Sequence, residues 1–152
     1  MVQRNRTSFL LFSAHLRRFR RGQTLVEFAL VLPILLVLMV GTIELGVVMY
    51  TQIVVTNAAW EGARAGATIT DPSQGDAQII GAVQRAAYGL DSTRLIVEIS
   101  PTQHEPPRNL PYPAPRGAPL TVRVAYPVHL AFPPLDFQIA AQAVTTMEYQ
   151  NP

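Results

Sequence analysis

The chain has 152 residues, 12 basic and 10 acidic; 49% are hydrophobic, 14% are charged, and none is cysteine. Charged residues make up about 25% of an ordinary soluble domain, so this composition argues against a plain cytosolic globule. Every basic residue is arginine, which excludes Schiff-base and phosphate-loop lysines. The missing cysteine excludes disulfides, thiol nucleophiles and thiolate metal sites.

Charge is divided unevenly along the chain. Arg4, Arg6, Arg17, Arg18, Arg20 and Arg21 all precede Gly22, and no acid occurs among the first 22 residues. From Gln23 onward six arginines face all ten acids, a formal balance of −4. The basic character therefore belongs to a short head, residues 1–22, which is expected to be a cytoplasmic leader. Its FLLF segment, Phe9 to Phe12, can lie on a membrane surface.

Leu25 to Tyr50 reads LVEFALVLPILLVLMVGTIELGVVMY, with an uncharged stretch from Phe28 to Ile43 bounded by Glu27 and Glu44. As a helix this run would be roughly 39 Å long, enough to cross a hydrocarbon core of about 30 Å. A transmembrane helix is predicted, with the arginine-rich flank in the cytoplasm and the C-terminal part outside. Thr51 to Ala67 is more polar but keeps helical spacing without proline, so one transmembrane and stalk helix is expected over residues 23–67. Ala58, Gly62 and Gly66 recur every fourth residue. They make either a narrow face for close packing or simply an alanine-rich helix.

Residues 68–152 are expected to form a small external α+β domain. Asp71-Pro72 breaks the stalk, and Ser73 with Asp76 gives a cap signal for a second helix. That helix carries Ile79, Ile80, Val83, Ala86, Ala87 and Leu90 on one stripe, with Gly89 at its C-terminal end. Three antiparallel strands follow by alternation. Leu95, Val97 and Ile99 mark the first, Leu120, Val122, Val124 and Tyr126 the second, and Phe137 to Tyr149 the third, with Phe137, Ile139, Ala141 and Ala143 inward. Ten of 13 prolines lie between Pro101 and Pro134, making residues 101–119 a surface loop.

No ordinary signal-peptidase site follows the apolar run closely, because the nearest small-residue patterns are Ala63 to Ala65 and Ala65 to Ala67. Instead RRFRRG precedes QTLVEF. This arrangement resembles the class III leader of type IV pilins and pseudopilins. That resemblance implies cleavage between Gly22 and Gln23 by a membrane prepilin peptidase, leaving Glu27 as the fifth mature residue and Phe28 beside it. Glycine leaves a protease unobstructed, and arginines hold the cut site at the anionic leaflet. A carboxylate within an apolar run needs a partner. The resemblance implies the new α-amino group at Gln23, of the same or a neighbouring subunit.

The match is closer to the TadE-like family of the Tad (Flp pilus) system. It rests on Arg21, Gly22, Leu25 to Ala29, Pro33, Gly41, Glu44, Gly46 and Asn57 to Arg64. The resemblance implies a minor pseudopilin that acts by assembly and not catalysis, with prepilin peptidase, other pilins or pseudopilins, the Tad membrane platform and lipid as partners. Pro33 either helps the helix leave the bilayer or is a tolerated kink. Glu44 is expected to be solvated at the outer headgroups or to contact another subunit. Glu61 and Arg64 should form a weak exposed pair.

His15, His104 and His129 are too scattered for a metal motif, and G-x-S-x-G, H-E-x-x-H and G-x-x-x-x-G-K are missing. Asp71, Asp76 and Asp91 are better explained as caps and turns than as cation ligands. No cofactor, metal or nucleic-acid partner is expected. The rival reading is a permanently anchored single-pass protein whose external domain binds a ligand or wall polymer through Tyr112, His104 and Arg108.

Overall fold

The structure is a computed structural model that describes residues 7–69, 75–106, 108 and 117–147, with side chains described from Gly22 onward. Helix α1, Thr7–Ala67, is 61 residues long with Pro33 inside it. Its helical start at Thr7 lies within the basic head. The chain divides into two compact units, Met1–Ile43 and Glu44–Pro152.

In the first unit the described side chains belong to α1, and the apolar run is bare: Leu25, Leu30, Ile34 and Leu38 are each more than 60% exposed. A helix this apolar with nothing covering it demands a nonaqueous surrounding. Among the described residues it is the one helix long and apolar enough to cross a membrane. Thr42 satisfies its hydroxyl within the helix by donating to the carbonyl of Leu38 at 2.8 Å.

The second unit is α+β, as the sequence reading expects. It contains the C-terminal part of α1 and helix α2, Gly75–Ala86. A single 3-10 turn, Ser92–Arg94, leads into β1, Ile96–Ser100. The long strands β2, Pro119–Ala131, and β3, Pro134–Thr146, complete an antiparallel sheet of order β1-β2-β3. Strand alternation decides the layers. Leu120, Val122 and Val124 of β2 are fully buried, together with Ile139 and Ala143 of β3. They meet Val55, Ala58, Ala59 and Ala63 of α1 and Ile79 and Val83 of α2 in one core. The opposite sheet face carries the exposed cross-strand pair Arg123–Glu98 at 3.5 Å.

Several local expectations change. Both long strands contain prolines. Pro127 lies in β2 opposite Gln138, and Pro134 starts β3 opposite Ala131. β1 pairs with β2 only as far as Ala125, so beyond it β2 is an edge strand on that side, where proline is tolerated. Helix α2 ends at Ala86, before Gly89, which adopts φ +89° in the following turn. Ile80 is 36% exposed and does not join the inward stripe. The Asp76 carboxylate also reaches out of its helix and holds the loop after β1. Asp71, Ser73 and Tyr112 lie outside the described residues, as does the C-terminal end of the expected third strand.

Candidate functional site

At the start of the apolar run, Gly22, Gln23, Glu27 and Phe28 occupy successive turns of α1. A Cβ at Gly22 would meet nothing within 4 Å. The Gln23 side-chain amide donates to Glu27 Oε1 at 3.2 Å, as i,i+4 geometry allows. The helix therefore places position 23 one turn from the carboxylate. Phe28 is 58% exposed. Pro33 lies within α1, and Gly41 faces open space.

Glu44 has partners within its own unit. Its Oε1 accepts from the backbone N–H of Ala131 at 2.7 Å and of Phe132 at 3.0 Å. These donors lie at the tip of the β2–β3 hairpin, where Ala131 pairs with Pro134 and the two residues between them make the turn. A hairpin tip leaves backbone donors unpaired by the sheet, and the Glu44 carboxylate accepts from two of them. Sequence spacing alone could not reveal this, because the contact spans 87 positions. Gly46, one turn further from the span's start than Gly41, also faces open space.

The small residues of the stalk have a definite neighbour. Ala58 is fully buried. A Cβ at Gly62 would lie 2.5 Å from Val83 Cγ2, and one at Gly66 would overlap the Leu120 side chain. Glycine here lets α2 and β2 touch the helix backbone, so this face is occupied by the chain's own domain.

The described part of the proline-rich segment is held at Gln103 and Arg108. Arg108, with its side chain 6% exposed, pairs with Asp76 at 2.5 Å and donates to the Pro101 carbonyl at 2.8 Å. Gln103 closes the same link: its N–H donates to Asp76 Oδ2, and its Oε1 accepts from the Asp76 N–H, each at 3.0 Å. Arg108 of the rival reading is thus engaged with the start of α2 and with the Pro101 carbonyl. His104 contacts Gln103 at 3.3 Å.

Asp91 acts as a cap, as the sequence reading expects, and two further features were not singled out in the sequence. Asp91 caps the 3-10 turn by accepting from the Thr93 hydroxyl at 2.7 Å and the Thr93 N–H at 2.9 Å. Those donors hold its carboxyl below its ordinary value. The adjoining Arg94 guanidinium lies 5.4 Å from the Tyr126 ring centre and donates to the Pro127 carbonyl. Trp60, Arg64, Thr68 and Thr145 border an open groove beside the C-terminal end of α1. Nearby, Arg64 and Glu61 form a weak exposed pair at 3.9 Å. Among the described residues no cluster of three or more His, Cys, Asp or Glu can hold a metal ion.

Comparison with known proteins agrees with the helix and not with a particular external domain. The model of the family described as TadE-like protein matches residues 22–64, a match that starts at Gly22 and ends within the stalk. No curated protein and no solved structure gives a match. TadE-like proteins are components of pilus assembly. A TadE-like segment thus lies on α1, the one described helix long and apolar enough to cross a membrane.

Proposed function

We propose that the protein is a minor pseudopilin of a Tad-type pilus assembly system, cut between Gly22 and Gln23 and working through its N-terminal helix. The observation that carries this reading is the junction RRG–QTLVEF at the point where the TadE-like segment begins. A prepilin peptidase at the cytoplasmic face removes the basic head, residues 1–22. The apolar helix, now the mature N-terminus, packs beside pilins, other pseudopilins or the Tad membrane platform. The domain beyond the stalk lies outside the membrane.

Cleavage changes the electrostatics of one helical turn. Before it, Glu27 is an acid near the edge of lipid with a neutral amide as neighbour. Afterwards Gln23 bears an α-amino group, a cation in its protonated form. Cutting within the helix also creates an N-terminus with four free N–H groups and the positive end of the helix dipole, both of which favour a carboxylate in the first turn. Glu27 pairs with this end in its own chain or with that of a neighbouring subunit. The pairing sets register and docking more than net stability, because desolvating two charges offsets much of their attraction.

Co-expression with a prepilin peptidase tests the reading. Wild-type protein should be shortened by the 22-residue head, whereas Gly22→Ala or a larger replacement should leave it attached. Shortening of both variants at another position, or of neither, contradicts it.

A further inference from the structure

We infer that the tip of the β2–β3 hairpin is a second membrane contact, seated in the outer leaflet at the level of Glu44. The tip carries exposed apolar side chains. Phe132 is 54% and Leu135 51% exposed, flanked by Pro133 and Pro134. It ends at a polar rung, where His129 and Asp136 face each other at 2.7 Å, both side chains exposed. Strand rise puts the turn about 7–10 Å beyond that rung, comparable to the depth of interfacial insertion into headgroups and upper acyl chains.

Two observations name lipid as the occupant. The tip is fastened to Glu44, the first charged residue after the uncharged stretch Phe28 to Ile43. Glu44 lies roughly 29 Å along a helix from Leu25, close to one hydrocarbon thickness, so the bond holds the tip at the bilayer boundary. The surface of α1 also remains apolar beyond Glu44, with Leu45 58% and Met49 61% exposed. Exposed apolar residues thus lie both at the tip and on α1 just beyond Glu44. The Glu44 carboxylate and the two N–H groups it accepts from satisfy one another. The inference rests on membrane anchoring of α1 and is independent of cleavage at Gly22.

The cysteine-free chain permits a direct test. Phe132→Cys, Leu135→Cys and, as a reference at the far end of β3, Val144→Cys are made in the full-length protein. Each is labelled with a nitroxide and reconstituted into phosphatidylethanolamine–phosphatidylglycerol vesicles. Power saturation compares access of oxygen, which concentrates in lipid, with that of a water-soluble nickel chelate. The expected result is a several-fold higher oxygen-to-nickel ratio at positions 132 and 135 than at 144. An equal ratio at all three places the tip in water and overturns the inference. Shielding of 132 and 135 from both reagents also overturns it, by placing protein over the tip, such as a second copy of this chain. Two independent tip positions keep the result decisive if either variant misfolds.

Discussion

The carboxylate of Glu44 and the backbone N–H of Ala131 meet at 2.7 Å although 87 positions separate them in the chain. This bond and its companion to Phe132 join the outer end of the apolar run to the tip of a hairpin. A hydrogen bond to a charged group contributes about 1.5–3 kcal/mol, less where water competes, so about 1 kcal/mol is reasonable for this exposed pair. Glu44→Ala should therefore accelerate amide exchange at Ala131 and Phe132 and leave the β1 amides unchanged. Unaltered exchange at the tip would show that the contact contributes nothing.

The stalk seam makes a contrasting pair of glycines. Gly66→Ala would drive a methyl into the Leu120 side chain, and such overpacking costs about 1–3 kcal/mol. Gly46 faces open space, and Gly46→Ala should gain about 0.5–1 kcal/mol from the lower helical cost of alanine. Unfolding midpoints in one detergent should move in opposite directions. Equal midpoints would mean that α2 and β2 do not approach the helix backbone this closely.

Arg108 and Asp76 hold the loop after β1 against the start of α2. Removing one partner of a buried pair costs about 3–5 kcal/mol, and the value here should fall near the lower end because Asp76 remains 21% exposed. Arg108→Met should make the proline-rich loop the first site of limited proteolysis. Combining it with Asp76→Asn should restore part of the resistance. A single variant as resistant as wild type would show that the pair does not hold the loop.

In the link between α2 and β1, the Asp91 carboxyl is held below its ordinary value. The Thr93 hydroxyl, and then the Thr93 N–H, lower its carboxyl pKa from an ordinary 3.8. A group with a depressed folded-state pKa stabilises the fold above its unfolded value, and that contribution disappears as pH falls through the lower folded value. Thr93→Val should raise the Asp91 midpoint toward the ordinary value in a carboxyl NMR titration. An unmoved midpoint would dissociate the shift from Thr93.

What was legible in the sequence follows from how local each signal is. The span shows itself in one uninterrupted apolar run, and β2 in the alternation of Leu120, Val122 and Val124 with Thr121 and Arg123. The extension of β2 through Pro127 was hidden because it depends on where β1 stops, a property of another segment. The spacing of Ala58, Gly62 and Gly66 advertises a narrow face, but only the tertiary arrangement names Val83 and Leu120 as its neighbours. Asp76 looked like a cap by position, but its bonds to Arg108 and Gln103, 32 and 27 positions away, could not be read from that position. The environment of Glu44 was equally nonlocal.

The central claim concerns a proteolytic event at the beginning of the apolar helix. Intact-mass measurement of protein extracted from membranes of cells containing an active prepilin peptidase tests it most directly. The account predicts a chain beginning at Gln23, with all six arginines of the head removed. A mass that retains residues 1–22 in those cells would contradict it.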